Sequence, residues 1–203
     1  MGQGVLDESS DEQLFARYQR GDARAFEVLV GRHYQSIYNF LLRFTGEPAA
    51  AEDLLQDVFT RVIKGAREYQ QRAKFTTWLY TIARNITIDA ARKRKFRRHP
   101  SLDQPIGDDD DGQRLIDTVK DDHPSGYADR KTSDSQFTIA LDAALVRMNE
   151  DQREVFILRE LQALSFSEIA EIVKTSENTV KSRMRYALEF LRKALAEFAE
   201  VGQ

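Results

Sequence analysis

The sequence predicts an all-α protein, in which two small helical domains are joined by a flexible acidic linker. Only 10 Gly and 4 Pro occur in 203 residues, and residues that favour helices are abundant. Apolar residues recur at helical spacing in segments that open with capping residues. Residues 99–134 depart from this pattern, because Pro, Gly and Asp dominate there and large apolar side chains are too few to offset ordering. We therefore predict one domain at 10–98, the linker at 99–134 and a second domain at 135–198.

The first domain is predicted to hold four helices. Ser10 and Gln13 have the spacing of a capping box at the start of the first helix, which ends at Gly21. Asp22 caps the second helix, which ends near Gly46 and Pro48. Its stripe of apolar and amphipathic residues comprises Phe26, Leu29, Val30, His33, Tyr34, Ile37, Tyr38 and Leu41.

The third helix is amphipathic and ends at Gly65. Its apolar residues are Ala51, Leu54, Leu55, Val58, Phe59, Val62 and Ile63, and its polar face carries Glu52, Asp53, Gln56, Asp57, Arg61 and Lys64. A fourth helix is predicted from about Thr76, and it continues into the acid-free basic run at 92–98.

The second domain contains the elements of a helix-turn-helix. After a helix through Leu145 and Met148, two further capping boxes, at Asn149 with Gln152 and at Ser165 with Glu168, open two helices. Ser176 caps the last helix, whose predicted core stripe is Val180, Met184, Ala187, Leu188, Leu191 and Leu195. A short helix, a tight turn at 174–175 and a longer basic helix are typical of helix-turn-helix DNA-binding units.

Charge is distributed unevenly along the chain. The formal net charge is only −3, which taken alone argues against a polyanionic partner. However, residues 72–102 contain nine Lys and Arg against one acid, a net charge of +8, whereas 103–134 carry −6. Because polyanions respond to local potential, we expect 72–102 and the C-terminal segment 174–203, at +2, to meet nucleic acid.

Side chains suited to nucleic acid lie in both basic segments. Phe75, Trp78 and Tyr80 lie in the first, and aromatic rings beside cations stack on single-stranded bases. The last helix presents a polar sector opposite its apolar stripe, formed by Asn178, Lys181, Ser182 and Arg185. Such a sector can contact base edges and phosphates together.

Several classes of function are disfavoured. The chain has no Cys, so disulfides, thiol nucleophiles and Cys-ligated metals are excluded. The three His are scattered, no Gly-rich phosphate loop occurs, and no nucleophile and base stand out, so we expect no catalytic residues, no cofactor and no metal. No run approaches the roughly 20 apolar residues of a membrane span, so we expect a cytoplasmic protein without membrane insertion.

The motifs together resemble the bacterial RNA polymerase sigma factors of the sigma-70 family, in the extracytoplasmic-function (ECF) type that keeps only regions 2 and 4. In the first domain these motifs are AEDLLQDVF at 51–59 and FTTWLYTIARN at 75–85, followed by Asp89, Arg92 and Lys93. In the second they are QREVF at 152–156, SFSEIA at 165–170 and TVKSR at 179–183.

The resemblance implies a sigma factor that binds core RNA polymerase, recognises promoter DNA and directs initiation. Its partners are then the clamp helices of the largest polymerase subunit, the flap of the second-largest subunit, promoter DNA as duplex and single strand, and an anti-sigma factor where one exists. The implied polymerase-binding residues are Asp53, Leu54, Gln56, Asp57, Phe59 and Arg61. The implied minus-ten residues are Gln71, Arg72, Lys74, Phe75, Trp78, Arg84, Asn85, Arg92, Lys93 and Arg97. The implied minus-thirty-five residues are Ser176, Glu177, Asn178, Thr179, Lys181, Ser182, Arg183 and Arg185.

Two positions depart from the family pattern. Lys174 and Asn178 stand where the family commonly has Gly. If the turn requires a positive φ at Lys174, the non-glycine residue costs roughly 1 kcal/mol. Asn178 changes a side chain on the DNA-facing sector, and with it the expected promoter preference.

Alternatives to the sigma hypothesis are an autonomous helix-turn-helix regulator, which would dimerise and bind operator DNA without polymerase, and an interaction module that uses helix 51–63 for protein contacts alone. The acidic residues 108–111 also have two interpretations. They are either a segment directed towards the polymerase cleft, as the resemblance implies, or a solubilising linker.

Overall fold

The computed structural model describes residues 8–70, 73–98 and 132–196, and the side chains of 8–70, 73–94 and 136–196. Every regular element in these ranges is a helix, which confirms the all-α prediction. The chain divides into two compact units, and each is treated separately below. Within the described ranges, no helix has the length and apolar character needed to cross a membrane.

The first unit contains α1 (Asp11–Gln19), α2 (Ala23–Thr45), α3 (Pro48–Gly65) and α4 (Phe75–Arg98). α2 packs against the other three, and α4 also contacts α3 and α1. The buried core is drawn from all four helices and includes Leu14, Phe15, Leu29, Ile37, Phe40, Leu41, Leu55, Val58, Val62, Phe75 and Leu79. Burying a large apolar side chain contributes about 1.5–3 kcal/mol, so this core holds α3 and α4 in fixed positions.

The predicted N-terminal caps of α1 and α2 are confirmed. Ser10 Oγ accepts from the Gln13 backbone N–H at 3.3 Å, and Gln13 Oε1 accepts from the Ser10 N–H at 3.0 Å, which is a complete capping box. Asp22 caps α2, and Gly46 ends it with a left-handed φ of 68°. α4 begins at Phe75, one residue before the predicted start.

Two residues of the predicted apolar stripes are exposed. Tyr34 on α2 and Ile63 on α3 each retain 48% of their accessible surface. The stripes read from the sequence are wider than the surface that the neighbouring helices of this unit cover, so residues at their edges stay in contact with solvent. A place on an amphipathic stripe therefore does not make these two side chains part of the core.

The second unit contains α5 (Thr132–Arg147), α6 (Glu150–Phe156), a π-helical turn (Ile157–Leu161), the start of α7 (Phe166–Val173) and α8 (Glu177–Ala194), while residues 170–174 are grouped with the first unit. α8 packs against α6 and α5. The predicted linker lies outside the described ranges up to residue 131, and α5 begins at Thr132, before the predicted boundary at 135. The proposed domain limits remain a prediction.

The caps of the second unit follow the sequence with one exception. Ser165 and Glu168 form the predicted capping box, and Ser176 Oγ accepts from the Thr179 N–H at 3.1 Å. Asn149 caps α6, but its Oδ1 accepts from the Asp151 N–H at 3.1 Å instead of the Gln152 N–H. The side chain of Asn is short enough to bond two residues on, so an Asx-type cap replaces the predicted capping box.

Two features of the second unit differ from the predicted helices. α6 continues as a π-helical turn from Ile157, and the Leu164 N–H donates to the Leu158 carbonyl at 3.1 Å after this turn. Leu188 was predicted in the core stripe of α8, but it retains 45% of its surface. Val180, Met184, Ala187 and Leu191 already fill the face of α8 that packs on α6 and α5, and Leu188 lies beyond that face.

Candidate functional site

The outer face of α3 is polar and exposed. Asp53, Gln56, Asp57 and Arg61 all point to solvent, and Leu54 and Phe59 at the edges of this face are half-buried. The opposite face is anchored by Ala51, Leu55, Val58 and Val62, none of them more than 2% exposed. The polymerase-binding residues implied by the sequence therefore lie together on one rigid surface.

A shallow groove of about 240 Å³ lies beside this surface, between α2 and α3. Its lining residues are Val30, Tyr34, Glu52, Leu55, Gln56 and Phe59. Tyr34, which the sequence pattern places on the amphipathic stripe of α2, is half exposed at the rim of the groove. The groove adds apolar surface from α2 to the polar face of α3, as expected of a protein-binding patch.

The loop between α3 and α4 leads into a cluster of aromatic rings. Trp78 lies 4.8 Å from Tyr69, 5.4 Å from Phe15 and 6.0 Å from Phe75 between ring centroids. A Cβ atom at Gly65 would stand 3.3 Å from Trp78 Cζ2, so glycine at the end of α3 allows the indole to approach closely. Trp78 is half-buried and forms the outer edge of the cluster.

The predicted minus-ten residues are not all placed alike. Phe75 is only 1% exposed, so its ring supports the cluster and cannot stack on a base without leaving the core, which corrects its predicted role as a direct contact. Lys74, Arg92 and Lys93 are exposed, and Arg84 and Asn85 are half-buried on α4. Gln71 and Arg72, and the side chain of Arg97, lie outside the described residues.

The exposed face of α8 combines charged and neutral polar groups. Ser176, Glu177, Asn178, Lys181, Ser182 and Arg185 are exposed, and Thr179 and Arg183 are half-buried. Lys181 Nζ pairs with Glu177 Oε1 at 2.6 Å, one turn away on the same face. Exposed pairs of this kind contribute only about 0.3–0.5 kcal/mol, so Lys181 can exchange its partner for a phosphate at small cost.

Two arginines of α8 have different surroundings. Arg183 forms an ion pair with Asp151 at the start of α6, which ties the two helices together. The Arg185 guanidinium lies 4.9 Å from the ring centroid of Tyr186 and donates to the Tyr186 hydroxyl at 3.2 Å. Tyr186 is 48% exposed and belongs to the same surface, although the motif reading did not include it.

Phe166 connects α8 to the π-helical turn. The Arg159 guanidinium lies 4.7 Å from the centroid of the Phe166 ring, and Lys181 Nζ lies 5.9 Å from it. Arg159 Nη1 also donates to the Leu164 carbonyl at 2.9 Å. The basic surface of α8 therefore continues to Arg159, which sequence reasoning missed because its position depends on the π turn.

Two family models match separate parts of the chain. The family model Sigma-70 region 2 matches residues 29–97, and the model Sigma-70, region 4 matches residues 138–191. ECF RNA polymerase sigma factor SigX of Bacillus subtilis is 33% identical over 170 residues, covering 83% of this chain and 82% of SigX. RNA polymerase sigma-H factor of Pseudomonas aeruginosa is 29% identical over 193 residues, covering 94% of this chain and 96% of that protein. 

Solved structures match at the level of the fold. The sigma factor RpoE of Bartonella quintana, in complex with the anti-sigma factor NepR, has a TM-score of 0.63 at 22% identity, covering 84% of this chain and 96% of that one. CnrH in complex with the cytosolic domain of CnrY has a TM-score of 0.64 at 19% identity, covering 96% and 100%.

Proposed function

The chain belongs to the sigma-70 family of RNA polymerase sigma factors, in the ECF group, and from this premise we propose how its surfaces divide the steps of promoter recognition. As a sigma factor it binds core RNA polymerase, recognises promoter DNA and directs the initiation of transcription. The family consists of initiation factors, which bind and position macromolecules rather than catalyse a reaction. We place its action in the cytoplasm, where the polymerase works.

The outer face of α3 is proposed as the surface that binds core polymerase. The observation that carries this proposal is the contrast between the two faces of α3, one fully buried and the other exposed through Asp53, Gln56, Asp57 and Arg61. An exposed polar helix face with a neighbouring apolar groove suits a partner that brings both charge and apolar side chains. The clamp helices of the largest subunit are the proposed partner.

The loop before α4 and the exposed part of that helix are proposed to capture the melted minus-ten strand. Trp78 at the edge of the aromatic cluster supplies a ring for a base, and Lys74, Arg92 and Lys93 supply exposed charge for the backbone. Extruding a base costs a few kcal/mol, which stacking and phosphate contacts offset. The whole segment 72–102 carries +8, which supports this role.

α8 is proposed to enter the major groove at the minus-thirty-five element. The support is its exposed face, where Asn178 and Ser182 can reach base edges and Lys181 and Arg185 can reach phosphate or guanine.

The proposed domain limits are 10–98 for the polymerase-binding and strand-opening unit and 135–198 for this helix-turn-helix unit. An anti-sigma factor is a further proposed partner, because the sigma factor RpoE is solved in complex with the anti-sigma factor NepR.

Run-off transcription with purified core polymerase tests this assignment. Promoters are first identified by mapping the transcription start sites that appear when the chain is overexpressed, and linear templates are then made from them. We expect a transcript of defined length only when core polymerase and this chain are both present. Tight duplex binding by the chain alone, with no dependence of transcription on it, would instead support an autonomous regulator, an alternative that the sigma-factor relatives do not favour.

A further inference from the structure

The loop between α3 and α4 is held at both ends by α1. Gln19 Nε2 donates to the Ala66 carbonyl at 2.7 Å and to the Tyr69 carbonyl at 3.2 Å, at the start of the loop. At the other end, the Phe75 backbone N–H donates to Glu12 Oε1 at 3.0 Å. One short helix therefore bridges the two ends of the segment that precedes α4.

The bond from Phe75 to Glu12 has the character of a helix cap supplied from another element. Phe75 is the first residue of α4, and the N–H groups of a first helical turn have no partner within the helix. A carboxylate satisfies such a donor and also lies favourably at the positive end of the helix dipole. Glu12 therefore fixes where α4 starts, and with it the orientation of Trp78 one turn later.

α1 is itself fixed on α2 by a second carboxylate. Asp11 Oδ2 lies 2.6 Å from His33 Nε2, and Asp11 Oδ1 accepts from Arg32 Nη1 at 2.9 Å. Arg32 Nη1 also donates to the Ser9 carbonyl at 2.7 Å, just before the helix begins. Because Asp11 and Glu12 are adjacent, the contacts to α2 hold the cap of α4 in place.

The aromatic cluster extends this connection. Phe15 of α1 lies 5.0 Å from both Tyr69 and Phe75 between ring centroids, and it is fully buried. The Tyr69 hydroxyl donates to the Ala73 carbonyl at 3.0 Å, across the loop. Burial, and then the charge of Glu12, raise the pKa of Tyr69, so this hydroxyl keeps its proton and remains a donor.

We propose that α1 is the positioning element of the strand-capturing loop, with Glu12 and Gln19 as its positioning residues. These residues contact no promoter base; they act through the Phe75 N–H and through the carbonyls of Ala66 and Tyr69, and these contacts place Trp78. The proposal rests on the proposed role of the loop at the minus-ten element. The match to the region 2 family model begins at residue 29, so α1 lies before the matched residues. The proposal gives this helix a function.

The test uses Glu12→Ala and Glu12→Gln in the full chain, with Glu8→Ala as the control because Glu8 is an exposed glutamate just before α1. Trp78 is the only tryptophan of the chain, so its quenching by acrylamide reports the cluster in the free protein. In the polymerase complex, 2-aminopurine placed in turn at each non-template position of the mapped minus-ten element reports base extrusion. Affinity for core polymerase is measured separately.

Glu12→Ala is expected to increase quenching of Trp78 and to lower the open-complex signal roughly three- to tenfold, the size of effect that follows from losing a helix cap. Affinity for core polymerase should be unchanged. Glu12→Gln should restore most of both signals, because its amide oxygen accepts the same hydrogen bond. Gln19→Ala, which removes an exposed side chain, should reproduce the Glu12→Ala defect from the other end of the loop.

The proposal is overturned if Glu12→Ala and Gln19→Ala both leave quenching and base extrusion at wild-type values. It is also overturned if core affinity falls in parallel with base extrusion, since that would indicate a general loss of structure. If the unmodified chain supports no run-off transcription, the proposed function fails, whereas the quenching of Trp78 still decides whether α1 positions the cluster.

Discussion

The turn between α7 and α8 contains a residue in a conformation that favours glycine. Lys174 has φ 55°, in the left-handed region, as anticipated from the position where the family commonly carries Gly. A non-glycine residue costs about 1–2 kcal/mol there, and introducing glycine costs about 0.5–1 kcal/mol in lost freedom on folding. Lys174→Gly should therefore stabilise the protein by about 0.5–1 kcal/mol relative to Lys174→Ala, which removes the same side chain but keeps the strained backbone.

Calorimetry of the full chain measures this difference. For a unit of this size, about 1 kcal/mol corresponds to about 4–8 °C in Tm, so the glycine variant should unfold about 2–8 °C above the alanine variant. A glycine variant no more stable than the alanine variant would refute the argument that the turn is strained.

Three further outcomes follow from the described contacts. Asp57→Lys should weaken association with core polymerase at least about tenfold by charge reversal on the exposed face of α3, whereas Glu8→Lys should not; equal affinity of the two variants in a competition assay would contradict the interface. Lys181→Ala should reduce the salt slope of promoter binding by about 1 without changing sequence preference, whereas Asn178→Ala should change preference. The control is Lys193→Ala, which removes a lysine paired in the same way with Glu189, and a matching loss there would contradict a specific role for Lys181. Burial raises the pKa of Asp11, but hydrogen bonds and charge from His33, and then from Arg32, outweigh it and hold that pKa below its ordinary 3.8. The stabilisation from ionised Asp11 is therefore present above pH 3.8 and is lost as the pH falls through the lower pKa of the folded state. The difference in urea midpoint between the wild type and Asp11→Asn should accordingly narrow from about pH 6 to about pH 3. A difference that does not change with pH would disprove the coupling.

Helix ends were predictable because capping is local. Ser10, Asp22, Ser165 and Ser176 each bond a backbone N–H three residues on, so the pattern that predicts the cap also contains its partner. The same locality explains why the turn at Lys174 could be anticipated.

Contacts between distant residues were not predictable in this way. The bond from Phe75 to Glu12 joins residues 63 apart, and the bond from Gln19 to the Ala66 carbonyl joins residues 47 apart. Neither pair has a spacing that a single sequence exposes. Whether a side chain at the edge of a stripe is buried is equally non-local, because it depends on which helices pack beside it. Leu188 and Tyr34 both lie at such edges and are exposed.

The same distinction between local pattern and distant contacts separates the site residues that were placed correctly from the one that was not. Exposure of Asp53, Asp57 and Lys181 follows from the amphipathic pattern of their own helices, so the motif reading placed them correctly on the surface. Phe75 has the same aromatic chemistry as Trp78 but lies in the core, because the packing of α1 against α4 selects which ring is covered.

The π-helical turn at Ile157–Leu161 makes chain length a determinant of geometry in the second unit. A π turn accommodates one residue more than an α turn, and each residue of an α-helix advances the chain by about 100°. Deleting one residue there would allow the segment to close as a regular α-helix and would rotate everything that follows. Arg159 would then leave the Phe166 ring, and the Leu164 N–H would lose the Leu158 carbonyl. Substitutions that keep the buried Ile157 and Leu158 apolar are therefore expected to be tolerated better than insertions or deletions, because the number of residues in the turn sets the direction in which the chain enters α7.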